Sequence, residues 1–319
     1  MAGVLVVAET NEAGVTGASL ELLGAARQLA GQGAGSVSAF IAAGEAEAKS
    51  LIAHGADAAY TSSAPAGSLA EVLAPAVEAA IAASGADVVL ISMSSLGRDL
   101  GPMLAFRQKT GVAMDCTDLK IEGGRLRATR SCYGGNARAE HTWKSGLQLA
   151  TVKGKTFDAL EADASRSGSV SAVDGAGEAR ITVLGTEKAT AEGIKLEDAQ
   201  IVVSGGRGLG DPSAFKQLEE LAAALPAAAV GASRAACDLG WYPPSQQVGL
   251  TGKVVSPALY IAVAISGASQ HMAGMGGSKN IVAINKDGDA NMVKVSKFAI
   301  VDDYKKVLPA LIEEIKKLG

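Results

Sequence analysis

Glycines and a helix start follow a strand-like run in the C-terminal part of the chain. The run QIVVS at 200–204 is followed by Gly205–Gly210 (GGRGLG), and Asp211 and Pro212 then open a helical segment. Glycines let a backbone approach a phosphate closely, and a helix N-terminus offers free N–H groups and a favourable dipole. Asp at the N-cap and Pro at the first helical position are typical helix starts. The segment predicts a phosphate-binding turn, although a plain strand-to-helix turn has the same residues.

An arginine lies where a nicotinamide dinucleotide site usually has an acidic residue. That site needs a carboxylate about twenty residues after its glycines, to bind a ribose 2′-hydroxyl. Here the corresponding segment, residues 230–238, contains Arg234. The arginine argues against NAD and leaves two options open. One is an NADP site, in which it would bind the 2′-phosphate, and the other is a different cofactor geometry.

Three more polar segments lie near the ends of predicted strands. They are Gln246–Lys253, Ser266–Met275 and Ala283–Asp287. Each segment alone is typical of an ordinary turn, and His271 alone is typical of a structural histidine. Ligands of open parallel sheets bind beyond the carboxyl ends of the strands. Five such clusters at predicted strand ends therefore predict one ligand site.

Alternating strands and helices must position these segments. In the first half, short apolar runs alternate with longer segments of helical period, which predicts βαβ units and a parallel sheet. The strands are predicted at 3–9, 36–42, 58–62, 87–92, 113–122, 125–132, 147–153 and 180–184, and the helices at 19–31, 45–54, 68–84 and 97–110. Residues 113–132 are predicted to form a hairpin with a glycine turn, and residues 162–177 a loop.

The same alternation restarts near residue 199. Strands are predicted at 200–204, 227–231, 258–266, 280–285 and 298–301, and helices at 212–224 and 303–318. We therefore predict an α/β protein of two domains, each an open, mostly parallel sheet with flanking helices in a Rossmann-like arrangement. The N-terminal domain would span residues 1–198 and the C-terminal domain residues 199–319.

Composition and charge exclude several classes of protein. The 319 residues have a formal net charge of −4 and 4% aromatic residues, whereas nucleic-acid binding needs a basic face and stacking aromatic side chains. No apolar stretch reaches the roughly twenty residues of a membrane span. Three scattered cysteines and three scattered histidines predict neither a disulfide framework nor a metal site. Residues 1–8 enter a predicted strand without a basic leader, so we expect a soluble, cytoplasmic protein.

The C-terminal motifs resemble those of the alpha subunit of electron transfer flavoproteins. The family segments GGRG, SRAA-x-D-x-G-W, Q-V-G-x-T-G-K, P-x-L-Y-I-A, I-S-G-A-x-Q-H and A-I-N-x-D appear here as Gly205–Gly208, Ser233–Trp241, Gln247–Lys253, Pro257–Ala262, Ile265–His271 and Ala283–Asp287. The resemblance covers nearly all of residues 199–319. The N-terminal domain, with RSCYGGN at 130–136, resembles the family more loosely. Leu250, Ser269 and residues 289–297 depart from the family pattern.

The resemblance implies that the C-terminal domain binds FAD. Arg207 and Ser233 would lie near its phosphates or ring, and Arg234 close to the flavin ring. The implied ring-lining residues are Val248, Gly249, Leu250 and Thr251, with the Thr251 hydroxyl near N5, and Gln247 belongs to the same loop. The implied phosphate and ribityl residues are Ser266, Gly267, Ala268, Ser269, Gln270 and His271, with His271 on the pyrimidine side. The implied residues of the adenosine end are Asn285, Asp303 and Tyr304.

The implied roles agree with flavin chemistry. Positive charge near N1 and C2=O stabilises an added electron, and Arg234 and His271 would supply it. A hydroxyl at N5, that of Thr251, would tune the same potential. In such proteins the polypeptide provides orientation and electrostatics, while the redox chemistry belongs to the cofactor.

The resemblance also implies a function. The chain would be an electron carrier rather than a substrate-converting enzyme, and would form a heterodimer with the smaller beta subunit. It would accept electrons from flavin dehydrogenases of the acyl-CoA type, as in fatty acid β-oxidation, and pass them to a quinone oxidoreductase or another acceptor. Electron bifurcation from NADH stays open, because the second nucleotide would lie largely in the partner.

Two alternatives stay open beside the electron carrier. One is an NADP-dependent oxidoreductase that uses Gly205–Gly210 and Arg234 for the dinucleotide. The other is a non-catalytic subunit that has lost its cofactor, against which the intact glycines, Arg234 and Thr251 argue. The N-terminal domain is expected to be a scaffold and partner interface, with its Ser94–Asp99 segment structural.

Overall fold

Two units, each with its own sheet, make up the chain. The computed structural model describes residues 2–65, 67–133, 137–144, 146–181, 183–184 and 194–318. The first unit comprises Met1–Cys132 and Ala137–Gly185, and the second comprises Tyr133–Asn136 and Thr186–Gly319. Parts of the RSCYGGN segment and of the charged segment 187–198 lie outside the described residues. The predicted boundary at residue 198 stays a prediction.

Strands and helices alternate as predicted in both halves. The strands are β1 (Gly3–Ala8), β2 (Thr10–Asn11), β3 (Gly14–Val15), β4 (Ser36–Ile41), β5 (Ala58–Thr61), β6 (Val88–Ser92), β7 (Val112–Glu122), β8 (Arg125–Cys132), β9 (Ala137–His141), β10 (Gln148–Val152), β11 (Ser169–Ala172), β12 (Ile201–Gly205), β13 (Ala228–Ala232), β14 (Leu259–Val263), β15 (Asn280–Ile284) and β16 (Phe298–Ile300). The helices are α1 (Gly17–Leu29), α2 (Glu45–Ala53), α3 (Ala70–Ser84), α4 (Ser95–Arg107), α5 (Phe215–Ala223), α6 (Arg234–Asp238), α7 (Ser269–Met275), α8 (Asn291–Val295) and α9 (Tyr304–Leu318).

The sheet of the first unit has the strand order β11-β5-β4-β1-β6-β10-β7-β8-β9. The strands from β11 to β7 pair in parallel, and β7, β8 and β9 pair antiparallel, which confirms the predicted hairpin. Along β1, Val4 and Val6 pack in a core with α1 and α2, while Leu5 and Val7 pack in a core with α3 and α4. Because side chains alternate along a strand, covering both faces requires the continuous apolar run of β1.

The first unit differs from the prediction at its less apolar segments. The loop predicted at 162–177 contains β11, whose exposed Ser-rich residues pair in parallel with β5 through their backbones. A strand at β9, also largely exposed, was not predicted and pairs with β8. The strand predicted at 180–184 is wrong for the four described residues, since they pair with no strand and Leu184 is 96% exposed. An apolar segment does not form a strand unless a neighbouring strand has a free edge with which it can pair.

The sheet of the second unit is wholly parallel, with the order β13-β12-β14-β15-β16. One face packs on α5 and α9 through residues such as Val203, Leu218 and Leu308. The other face packs on α7 and α8 through residues such as Tyr260 and Met275. The chain runs outward from β12 to β13 on one side and to β14 on the other. This order creates a topological switch point between β12 and β14, where ligands of such sheets bind.

No helix in the described part of the chain combines the length and apolarity that crossing a membrane requires. Among the same residues, no group of three or more His, Cys, Asp or Glu side chains could hold a metal ion. Cys116, Cys132 and Cys237 are free thiols.

Candidate cofactor site

Every predicted site residue follows, or lies beside, the carboxyl end of a strand in the second unit. The residues that follow the strands are Arg207 after β12, Ser233 and Arg234 after β13, Ser266–His271 after β14, Asn285 after β15, and Asp303 and Tyr304 after β16. The segment Gln247–Thr251 lies beside β13, because Gln247 forms a parallel bridge with Ala232. All five strands of the sheet therefore contribute to one edge.

The glycine-rich turn after β12 packs tightly against the end of β14. The Gly206 amide donates to the Val263 carbonyl at 2.9 Å, and the Gly208 amide donates to the Ala264 carbonyl at 3.3 Å. A Cβ atom at Gly206 would lie 2.2 Å from the Ala264 carbonyl oxygen, so only glycine fits. Ala264 itself has a φ of 53°, a conformation that costs a non-glycine residue energy. Arg207 is exposed and makes no ion pair with a described residue.

The segment after β13 places an arginine beside this turn. Ser233 begins α6, where its Oγ accepts a hydrogen bond from the Ala236 amide at 3.4 Å. The Ser233 amide donates to the Gly205 carbonyl at 2.9 Å, which ties the ends of β13 and β12 together. Arg234 makes an exposed pair with Asp238 at 3.3 Å. Since exposed pairs of this kind contribute little, the Arg234 guanidinium is free to bind an anion or a polar ring.

The loop of Gln247–Lys253 is held by backbone hydrogen bonds at both sides. The Val248 amide donates to the Ala232 carbonyl at 2.9 Å, and the Leu250 amide donates to the Gln270 carbonyl at 2.8 Å. The Thr251 hydroxyl accepts from Gln247 Nε2 at 3.0 Å. Its own proton stays available to an acceptor, because a hydroxyl both donates and accepts. The Leu250 side chain is 65% exposed, as an apolar contact surface.

The segment after β14 turns sharply into α7. Gly267 has a φ of 81°, and a Cβ there would lie 2.4 Å from the Met292 amide nitrogen. The Ser266 carbonyl accepts from that amide at 3.2 Å, so α8 supports the turn. The Ser266 and Ser269 side chains are exposed beside it.

His271 is buried and pairs with a tyrosine from β14. The Tyr260 hydroxyl and His271 Nε2 lie 2.9 Å apart, and the two residues are 0% and 6% exposed. The other ring nitrogen, Nδ1, is buried and makes no hydrogen bond of ordinary geometry with the described residues. Burial lowers the pKa of His271 to about 4, and the Val248 backbone offsets this effect only in part. Burial therefore favours the neutral imidazole, and the expected role of His271 beside the ring stays a prediction.

The residues after β15 and β16 mainly connect neighbouring loops. Asn285 Nδ2 donates to the Ile265 carbonyl at 2.9 Å. The Tyr304 hydroxyl is buried and donates to the Leu209 carbonyl at 2.7 Å, so it anchors α9 to the glycine-rich turn. The Lys305 amide and then Lys286 Nζ, at 3.0 Å, hold the pKa of Asp303 below its ordinary value. Asn285 and Tyr304 thus shape the edge while using these polar atoms internally.

Sequence reasoning did not single out three residues that shape this edge. They are Tyr260, the partner of His271, Ala264, with its positive φ, and Met292, which supports Gly267. For Tyr260 a signal was available, since a phenol in the middle of a buried strand needs a hydrogen-bond partner. The other two depend on backbone approach between distant segments, which no local pattern shows.

These features fit a flavin dinucleotide. No side chain fits at Gly206, two exposed arginines can face anionic or polar groups, and His271 Nδ1 is a buried polar atom in need of a partner. Such groups at a switch point define a dinucleotide-binding α/β domain.

The comparisons with known proteins name the family. A model of the electron transfer flavoprotein domain matches residues 4–178, and a model of the electron transfer flavoprotein FAD-binding domain matches residues 195–276. The chain is 38% identical to electron transfer flavoprotein subunit alpha of Bacillus subtilis over 324 aligned residues, covering 99% of this chain and 98% of that protein. The proteins of the same name from Thermoanaerobacterium thermosaccharolyticum and Megasphaera elsdenii are 40% and 41% identical, each over 99% of this chain and 98% and 96% of their own lengths. The chain belongs to the electron transfer flavoprotein alpha subunit family, and its cofactor is FAD.

The FAD-binding match bears on the NADP-dependent alternative. It contains Gly205–Gly210 and Arg234, the residues on which the NADP-dependent alternative depended. The family therefore favours FAD over NADP at this edge. Asn285, Asp303 and Tyr304 lie beyond the matched residues, and their contact with the adenosine end stays a prediction.

Proposed function

We propose that the chain is the FAD-holding half of an electron carrier and that its cofactor lies across the carboxyl edge of the second unit. The observation that carries this proposal is the convergence at one edge. Segments from all five strand ends, chosen from the sequence, lie there and are joined by backbone hydrogen bonds. When bound, FAD supplies the reversible uptake and release of electrons.

The residues of this edge have separate tasks in the proposal. The amides of Ser266–Gln270 bind the pyrophosphate, with Arg207 as a nearby cation. Arg234, Thr251 and His271 orient the ring and supply a cation, a hydroxyl proton and a neutral N–H. Val248 and Leu250 provide apolar surface that limits water around the ring.

The partners follow from the family by analogy. We propose that the chain pairs with an electron transfer flavoprotein beta subunit, accepts electrons from flavin dehydrogenases of the acyl-CoA type and passes them to a quinone oxidoreductase or another acceptor, in the cytoplasm. The names of the relatives, each a subunit alpha, support the pairing. In the first unit, Ser94 caps α4 and bonds to Glu9, which supports the structural role predicted for Ser94–Asp99.

The test is the co-expression of the chain with a beta subunit. We expect the purified pair to carry flavin and to couple an acyl-CoA dehydrogenase to reduction of a quinone oxidoreductase. A matched pair of variants, Arg234→Ala and Lys279→Ala, separates the site from general surface charge, and only the first should alter the flavin. A colourless pair that cannot be reconstituted with FAD would refute the cofactor site. A flavin-loaded pair that accepts no electrons from the dehydrogenase would refute only the assigned donor.

A further inference from the structure

The hydrogen bond between Tyr260 and His271 reaches from the edge into the centre of the sheet. Tyr260 lies in the middle of β14, fully buried among Val202, Ala262 and Met275. The two rings meet edge to face, with centroids 6.1 Å apart and planes inclined by 63°. A phenylalanine would fill the same space, so packing alone does not require the hydroxyl.

We propose that Tyr260 is a positioning residue, whose hydroxyl donates to His271 Nε2 and thereby keeps the imidazole proton on Nδ1. The proposal rests on the proposed function, in which His271 serves the flavin. His271 then offers a fixed N–H, and not a lone pair, as its remaining hydrogen-bonding group.

The chemistry of the two side chains is compatible with a hydrogen bond from the Tyr260 hydroxyl to His271 Nε2. A neutral imidazole has one N–H donor and one acceptor nitrogen. Burial raises the pKa of Tyr260, so its phenol keeps its proton, and burial keeps His271 neutral. The Tyr260 hydroxyl lies 2.9 Å from Nε2, so it can donate its proton to that nitrogen. With Nε2 as the acceptor the N–H lies at Nδ1, the buried ring nitrogen that makes no hydrogen bond of ordinary geometry with the described residues.

The position of His271 makes this choice matter for the proposed ring site. His271 lies in the first turn of α7, directly after Gln270, whose carbonyl holds the Leu250 amide at 2.8 Å. The imidazole is bonded to the core of the sheet, and the neighbouring Gln270 carbonyl is bonded to the loop that carries Thr251. A donor fixed at this point lowers the energy of a cofactor that gains negative charge on reduction. A hydroxyl that donates to Nε2 also makes the N–H at Nδ1 a stronger hydrogen-bond donor.

The tautomer can be measured directly, because the chain contains only three histidines. In 15N-histidine-labelled protein, paired with its beta subunit, we expect His271 to show a protonated Nδ1 and an unprotonated Nε2. The His271→Asn variant assigns the signal. In Tyr260→Phe we expect a shifted Nε2 signal and a mixture of tautomers. A wild-type spectrum with the proton on Nε2 would overturn the proposal, even if the Phe variant failed to fold.

The flavin midpoint potential supplies a second readout that a merely structural residue would not move in the same way. We expect Tyr260→Phe to lower the potential while the FAD content stays unchanged. The matched control is Tyr242→Phe, which removes a hydroxyl from the same unit that bonds to Glu219 at 3.3 Å and not to His271. The control should leave the potential unchanged.

A double variant tests whether the effect passes through the imidazole. In a His271→Asn background, Tyr260→Phe should shift the potential no further, since the group that it positions is gone. An equal shift in both backgrounds would refute the positioning role. The labelled spectrum can also be taken on the full chain before FAD is added, so a failure of the flavin site alone would still leave the expected tautomer visible.

Discussion

A substitution at Gly206 tests whether the turn after β12 packs directly against the backbone at the end of β14. A Cβ at residue 206 would lie 2.2 Å from the Ala264 carbonyl oxygen, 2.8 Å from its carbon and 2.9 Å from the Ile265 Cα. All three atoms are backbone and cannot rotate away. The φ of Gly206 is −103°, which alanine adopts freely, so a Gly206→Ala change acts through steric contact alone.

The size of the effect follows from these distances. Real Cβ atoms essentially never come within 3.0 Å of such neighbours, so the two segments must separate by at least about 0.8 Å. The Gly206 and Gly208 amides are bonded to the carbonyls of Val263 and Ala264, and the separation strains both bonds. Overpacking of this kind costs about 1–3 kcal/mol. We also expect FAD to bind at least about tenfold more weakly, which corresponds to about 1.4 kcal/mol.

The two tryptophans of the chain make the assay selective. Trp143 lies in the first unit and Trp241 in the second. In a Trp143→Phe background, urea unfolding followed by Trp241 fluorescence reports the second unit, and titration with FAD reports the site. The control is Gly17→Ala at the start of α1, where a Cβ would meet nothing within 4 Å. If Gly206→Ala had the same urea unfolding curve and the same FAD affinity as the control, the close approach of residue 206 to the Ala264 carbonyl would be refuted.

Three further predictions concern titration, capping and charge. The pKa of His271 in the folded state, about 4, lies below 6.5, so the unfolded chain binds more protons between these values and stability falls as pH falls from 6.5 to 4. The loss should reach at most about 3–4 kcal/mol in urea unfolding and be absent from His271→Asn. Ser94→Ala removes the bond from Gly97 N at 3.0 Å and the bond to Glu9 Oε1 at 2.7 Å, and should cost about 1–2 kcal/mol in the same assay. Arg234→Ala should lower the flavin midpoint potential in a redox titration, and an unchanged potential would place the ring elsewhere.

The general fold and the candidate edge could be predicted from sequence because both depend on local signals. The run GVLVVA of β1 and the run IVVSG of β12 are apolar because helices cover both faces of each sheet. The glycines and polar residues that follow the strands then lie at one edge by topology alone. For the fold and the edge, the residue types and their places in the alternation of strands and helices were sufficient for the prediction.

Other features depended on partners distant in sequence. The strand β11 consists mostly of exposed residues and exists because the edge of β5 accepts its backbone. The described residues of 180–184 have strand propensity but find no such edge. The hydrogen bond of His271 likewise depends on Tyr260, which lies eleven positions away on another element, and burial lowers the pKa of the imidazole. Propensity and motif spacing report the local chain, whereas these features belong to the packed sheet.

The first unit shows why the same architecture does not imply the same site. Its strand order reverses between β1 and β6, so it too has a switch point. At that point the chain places Glu9, held by the Ser94 hydroxyl, and burial raises the pKa of this carboxyl. A carboxyl group there opposes a phosphate, both by its charge when ionised and by occupying the helix start that a phosphate would use. The second unit has the Gly206 turn and Arg207 at the corresponding place. The residues at the two edges, and not the sheets, therefore support assigning the cofactor to the second unit.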